Sequence, residues 1–451
     1  MPAAKGATFA ACALAGLRYS PRMQTEPGIR PSAALQHVRY EIRGRLARRA
    51  LELERAGYEI ISLNIGNPRA FGFRTPETMR LAMIENLGQA EGYCHQKGIF
   101  PAREAVVMQQ QERGIPGVTA EEVFIGNGVS ELIDLTLRAL LSDGDEVLVP
   151  SPDYPLWTAA VTLNRGRAVH YPCRPAQGFV PDPAEIARLI TPRTRALVII
   201  NPNNPTGAVY PRAVLESLAR LAERHGLVSC SDEIYDQMTY DGAEFVPMAT
   251  LVYDTLCATL AGLSKVYRAC GYRAGWVVFS GRVHAAADYL NALELLASLR
   301  LCSNVMAQWA VQTALGGHQS VRELIAPGGR LYESRAAILD AVAGSRYLTL
   351  APPRGAMYAF VGVDPAGLPG FDDQQFALDL LEQKHVLVAP GVSFNVPYRN
   401  HFRITNLPDA ATLREVFSRI EELLASYASG EQREGRGEGR GNVVSAKTYF
   451  K

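Results

Sequence analysis

The sequence predicts an α/β protein organised around a mostly parallel sheet, and three observations carry that reading. Short β-branched runs alternate with helical patterns through the middle of the chain, an order that builds a sheet covered on both faces. The 451 residues leave room for two or three domains of ~100–200 residues, and 47% apolar with 20% charged is ordinary globular composition. No apolar run approaches the ~20 residues of a membrane helix.

From the N-terminus, residues 1–38 carry Lys5, Arg18, Arg22 and Arg30 against one acid, Glu26. They read as a poorly ordered extension, with Met23 as an alternative start; Ala7–Leu17 only faintly resembles a targeting segment. Buried strands are expected at Val123–Gly126, Glu146–Val149, Ala196–Ile200, Leu227–Ser231, Thr255–Ala261 and Gly275–Phe279. Between them, Glu131–Leu141 and Val214–Arg224 carry apolar residues at three- and four-residue spacing, the mark of helices. At the other end, Ser429–Gly441 reads SGEQREGRGEGRG, which cannot bury apolar area and is expected to be disordered.

Composition excludes several functions. Lys+Arg 46 against Asp+Glu 45 gives a net charge of +1, which argues against a basic nucleic-acid binder. The 7 cysteines are scattered, without a Cys-x-x-Cys pair. A disulfide scaffold and a cysteine-rich zinc site are therefore disfavoured, and a reducing compartment, the cytoplasm, is expected. The 8 histidines show no metal-ligand spacing, so no metal is expected.

Sites of parallel sheets lie beyond the carboxyl ends of the strands, and the unusual residues of this chain fall there. Gly126-Asn127-Gly128 starts like a dinucleotide fingerprint, but Glu131 stands where its third glycine belongs. What remains is Gly128-Val129-Ser130 opening a helix, either a phosphate site of free N–H groups or a plain turn with a serine cap. Asn201-Pro202-Asn203-Asn204-Pro205-Thr206-Gly207 forms a stiff loop after one strand. Ser231-Asp232-Glu233-Ile234-Tyr235 follows the next, and Gly262-Leu263-Ser264-Lys265 a third, with Arg273 eight residues beyond the lysine.

Together, Asn-Pro-x-Asn-Pro-Thr-Gly, Asp-Glu-x-Tyr, Ser-Lys and Gly-Tyr-Arg resemble the class I/II aminotransferases, pyridoxal-phosphate (PLP) enzymes of fold type I. The similarity runs over roughly residues 39–425. Tyr40-Glu41-Ile42-Arg43-Gly44, Leu63-Asn64-Ile65-Gly66-Asn67-Pro68, Gly72-Phe73, Leu301-Cys302-Ser303-Asn304 and Ala314-Leu315-Gly316-Gly317 resemble the bacterial alanine (glutamate–pyruvate) group. The resemblance implies a large domain with a mostly parallel seven-stranded sheet and a smaller α+β domain. The expected layout is an extension over 1–38, an arm and part of the small domain over 39–70, and a PLP-binding domain over 71–311. The small domain would continue over 312–428, with a disordered tail at 429–451.

It also implies residue roles. Lys265 would bind the cofactor aldehyde and carry protons, Ser264 would stand beside it, and Asp232 would face the pyridine nitrogen. Tyr235 and Asn204 would hydrogen-bond the phenolic oxygen, although a core tyrosine and a turn asparagine are the plainer readings. Tyr154 would stack on the ring. Arg273, Gly128, Val129 and Ser130 would hold the phosphate, with Tyr93 lent by the partner of a homodimer. Arg403 would clamp the substrate α-carboxylate, with Asn204 also at the substrate and Gly66 close by, where a side chain would collide.

The implied reaction is ping-pong transamination between L-alanine/pyruvate and L-glutamate/2-oxoglutarate. An aromatic or branched-chain aminotransferase, a β-elimination lyase and a non-catalytic PLP-fold protein are the alternatives. A second cation is needed for glutamate, and Arg43 on the arm is preferred to Arg300, which sits in an apolar helical stretch. Two departures stand out. Gly262 replaces the family's usual serine, implying a phosphate site one hydrogen bond poorer, and Arg45 follows Gly44 where proline is expected.

Overall fold

The computed structural model describes residues 29–38 and 44–429. Thirteen strands are found among them: β1 (Ile61–Ser62), β2 (Val123–Gly126), β3 (Glu146–Ser151), β4 (Arg167–Pro172), β5 (Thr194–Ile200), β6 (Val228–Asp232), β7 (Leu256–Gly262), β8 (Gly275–Gly281), β9 (Leu348–Thr349), β10 (Tyr358–Val363), β11 (Val386–Leu387), β12 (Ala389–Pro390) and β13 (His401–Thr405). Seven of them form one sheet in the order β2-β8-β7-β6-β5-β3-β4. Only β8 runs against its neighbours; β7, β6, β5, β3 and β4 are parallel to one another.

The apolar runs are continuous because each strand feeds two cores. Leu197 and Ile199 of β5 join the cluster on one face, while Ala196, Val198 and Ile200 join that on the other. β2 divides in the same way, with Val123 and Ile125 opposite Phe124. All six expected strands are present, each within two residues of the expected bounds, and the helices Val129–Leu140 and Arg212–His225 match those expected. β4 was not anticipated. It is a half-buried edge strand of mixed residues, so it lacks the apolar run that marks the central ones.

The smaller body is a four-stranded sheet, β12-β13-β10-β9, packed on the helices Arg330–Gly344 and Ala410–Ser429. The chain before the large sheet returns to it, since β1 pairs with β11. The helix Val305–Gly316 crosses position 311 and buries Ala307, Ala310, Val311 and Ala314 in the core of the large sheet. On β10, Ala359 and Val361 enter the small core, which turns Tyr358 and Phe360 toward the large one. β13 pairs with β10 so that Phe360 opposes Arg403, placing that arginine on the same face as Tyr358. The tail from residue 430, most of residues 1–38, and Arg43 lie outside the described residues, whereas Ser429 ends a helix. No described helix is long and apolar enough to cross a membrane.

Candidate active site

Polar groups from the ends of β2, β3, β5, β6 and β7 and from the small sheet meet in one cavity of about 700 Å³. At the end of β2 the chain turns through Gly128, at φ 85°, into the helix Val129–Leu140. A Cβ at Gly128 would stand 2.3 Å from Arg273 Nη2, so glycine lets the guanidinium lie against the turn. Arg273 donates to the carbonyls of Asn127 and Cys270, both at 3.0 Å. Val129, Ser130, Ser264 and Arg273 line this end of the cavity, where helix N–H groups, hydroxyls and a guanidinium converge as an anion site does.

Deeper in, Asp232 ends β6 and is 3% exposed. It accepts hydrogen bonds from Trp157 Nε1 at 3.1 Å and the Ile234 amide at 3.4 Å. Burial pushes its carboxyl up to about 6 despite those bonds and the positive charge of Lys265. Among the described residues this carboxylate forms no ion pair, and it suits a ligand that brings a cation. Tyr154 and Ile234 line the cavity. Asp153, beside Tyr154, is fully buried and accepts from Asn395 Nδ2 at 2.9 Å and Thr158 Oγ1 at 2.5 Å. It ties the Tyr154 loop to the segment that carries Phe394.

Lys265 follows β7, and its Nζ donates to the Gly66 carbonyl at 2.7 Å. Arg403 is 2% exposed; its Nη1 donates to Asn204 Oδ1 at 2.9 Å and its Nη2 to the Asn64 carbonyl. Its guanidinium carbon lies 4.2 Å from the Tyr358 ring centre and 4.7 Å from that of Phe394, and Nε has no partner among the described residues. Gly66 is required by proximity, because a Cβ there would lie 2.1 Å from the Tyr358 hydroxyl. That hydroxyl accepts from Tyr235 at 3.4 Å.

The family described as "Aminotransferase class I and II" matches residues 58–420. This chain belongs to that family. It is 47% identical over 399 residues, 88% of this chain and 98% of the other, to the glutamate–pyruvate aminotransferase AlaA of Escherichia coli K12. It is 46% identical to an alanine aminotransferase of Mycobacterium tuberculosis strain H37Rv, over 90% of this chain and 94% of that one. Among solved structures, an Escherichia coli aminotransferase superposes with a TM-score of 0.87 at 47% identity, covering 89% of this chain and 99% of its own. The alanine aminotransferase of Pyrococcus furiosus does so with a TM-score of 0.83 at 34% identity, covering 88% and 100%.

The fold is therefore that of the fold type I aminotransferases, and the cofactor is PLP. The cavity of this aminotransferase fits that group: an anion cradle at one end, a buried carboxylate for a protonated ring nitrogen, and a lysine between them and the arginine. The residues that sequence patterns singled out for one site are brought together, Gly128 bordering the cavity rather than lining it. Tyr93 stands apart, 82% exposed on the surface. Arg300 packs as its apolar flanks suggest: it is bonded to the Ile125 carbonyl at 3.0 Å and pairs with Glu131 at 3.6 Å.

Sequence patterns missed Trp157, Phe394, Cys270 and Tyr358. Trp157 and Phe394 read as core aromatics, and nothing in a linear pattern separates them from the rest. Tyr358 carried one usable signal, a hydroxyl placed where an alternating buried strand needs none.

Proposed function

We propose that this aminotransferase moves an amino group between L-alanine/pyruvate and L-glutamate/2-oxoglutarate, in ping-pong fashion, as a homodimer. One observation carries the amino-acid reading. The segment Asn64–Gly66 accepts from Arg403 at its first carbonyl and from Lys265 at its third, so a carboxylate-binding and an amino-handling cation stand over one substrate-sized space. The alanine and glutamate choice is supported by the names of the relatives at 46–47% identity.

When bound, PLP supplies an aldehyde that captures the amino group and a ring that draws electrons from Cα. Arg403 holds the α-carboxylate, its plane fixed by the Tyr358 and Phe394 rings. Lys265 Nζ would take up the Cα proton and carry it as the general base and acid of the site. Asp232 would keep the ring nitrogen protonated, and Trp157 holds Asp232 in place. Arg273 with the helix N-terminus at Val129 and Ser130 would anchor the phosphate, and Tyr235 and Asn204 would hydrogen-bond the phenolic oxygen. Arg43 is our choice to read the distal carboxylate of glutamate, since the charge of Arg300 is already engaged.

The dimer is supported by one face. Tyr93 is 82% exposed, Leu299 74% and Leu295 62%. Gln96 and Lys97 both bond Glu294 of the helix Ala287–Leu299, so these residues share one surface. All six described cysteines are unpaired, which supports a cytoplasmic setting. A panel of amino donors and oxo acids tests the substrate choice: alanine and glutamate should lead, and a preference for aromatic or branched donors would overturn it. Mixing Tyr93→Ala with Lys265→Ala tests the dimer. A hybrid should recover one complete site, and subunit exchange without recovered activity would exclude Tyr93 acting across the interface.

A further inference from the structure

Tyr358 is a cavity group whose hydroxyl the functional reading leaves without chemistry. Its ring already serves by lying 4.2 Å below the Arg403 guanidinium, but a phenylalanine would do that equally well. The hydroxyl is what needs an explanation. A buried O–H with nothing to donate to is costly, and the surrounding packing allows an apolar ring of the same shape.

We propose that the Tyr358 hydroxyl donates a hydrogen bond to the substrate's α-carboxylate and so completes the site that Arg403 begins. The proposal rests on the reading of Arg403 as the carboxylate arginine. Three observations support it. Tyr358 is 3% exposed yet lines the cavity beside Arg403, Lys265 and Gly66. Its hydroxyl reaches so far toward Gly66 that a Cβ there would stand 2.1 Å away, which places the oxygen beside the backbone that borders the carboxylate position. Its proton is also uncommitted. The hydroxyl's side-chain partner among the described residues is Tyr235, and there Tyr235 is the donor.

Electrostatics favours the same direction. Burial alone would push the Tyr358 hydroxyl up, yet the charges of Lys265 and Arg403 and the bond from Tyr235 outweigh it and hold it below the usual phenol range. A more acidic phenol in a cationic pocket is a stronger donor to an anion. Tyr235, where the charge of Arg403 is outweighed, is pushed well above that range by burial and by Tyr358, so the shared proton stays on Tyr235. Tyr358 thereby links the residue facing the cofactor's phenolic oxygen to the one holding the substrate. Its preference is for 2-amino and 2-oxo acids over amines of the same size.

The test uses cofactor-loaded Tyr358→Phe, which keeps the ring and removes one atom. Equilibrium titration is followed by visible absorption with two probes: propionate, which has alanine's carboxylate without its amino group, and ethylamine, which has the amine without the carboxylate. Propionate should bind about tenfold more weakly or worse, the effect of one hydrogen bond to a charge, while ethylamine and the unfolding midpoint stay unchanged. In turnover, KM for alanine should rise with kcat nearly kept. Equal weakening of both probes would show a structural role, and unchanged propionate affinity would show no contact; either overturns the proposal alone. A wild-type protein that binds neither probe would overturn the parent reading of Arg403, and this proposal with it.

Discussion

Asp232→Asn offers a sharp test because cofactor-free and loaded protein should respond in opposite directions. In the cofactor-free protein the carboxyl is fully buried and lifted from 3.8 to about 6, so holding it ionised at neutral pH costs about 3 kcal/mol. Asparagine removes that cost. It also loses one acceptor, since Trp157 Nε1 and the Ile234 amide both donate to this side chain and an amide nitrogen can accept neither. That loss is about 1 kcal/mol, leaving a net gain of about 2 kcal/mol. The sign over pH follows from the raised value. Below about 4 the carboxyl is protonated in both folded and unfolded chains, and the advantage of asparagine vanishes. It grows as pH rises through about 6 and is complete above it. With PLP bound, a protonated ring nitrogen gives the carboxylate its partner, and wild type should gain far more from the cofactor than the variant does. Urea unfolding at pH 5 to 8, with and without PLP, measures all of this. A cofactor-free variant no more stable than wild type at pH 8, or equal cofactor stabilisation in both, would refute the reasoning.

Lys265→Ala should lose turnover by several orders of magnitude and lose the visible band that amino acids shift in the wild type, as absorption and steady-state assays would show. Gly128→Ala combines a Cβ 2.3 Å from Arg273 Nη2 with a left-handed φ of 85°. It should weaken PLP binding about tenfold or more while barely moving KM for alanine, as cofactor titration would report.

How much was legible varied with burial and with sequence distance. The central strands of the large sheet showed as apolar runs because both their faces are buried, and each delivered its motif to one edge of the sheet. β4 did not, being an edge strand, and the two-residue strands β1, β9, β11 and β12 are too short to carry a period. Lys265, Asp232 and Arg403 were legible from resemblance more than from chemistry, because charged residues between apolar neighbours are common. Tyr358 escaped for the opposite reason: it sits on a buried strand where its hydroxyl is the one sequence signal, and its closeness to Gly66, distant in sequence, is what gives that hydroxyl a meaning. Arg300 illustrates a gain from structure, since its apolar flanks left two readings that its bond to the Ile125 carbonyl separates.

Gly262 shows how a departure from pattern changes meaning once its neighbours are known. From sequence it reads as a lost phosphate hydrogen bond, with serine as the natural repair. In the fold Gly262 pairs with Gly275 across the antiparallel β7 and β8. A Cβ on Gly262 would lie 2.9 Å from Gly275 Cα and 3.0 Å from the Ala274 carbonyl, both backbone atoms that cannot swing aside. Gly275 is itself confined, because a Cβ there would lie 2.8 Å from the Val129 amide. The two glycines therefore let the strand ends close onto the first turn of the helix Val129–Leu140, and on the proposed phosphate role of that turn the site trades a hydroxyl for closer backbone N–H groups. Gly262→Ser should accordingly destabilise the protein by about 1–3 kcal/mol through overpacking, and weaken rather than improve PLP affinity by displacing Val129. Urea midpoints and PLP titration measure the two effects. A variant that binds PLP more tightly at unchanged stability would show that the hydroxyl was missing after all, and that the glycine pair holds nothing in place.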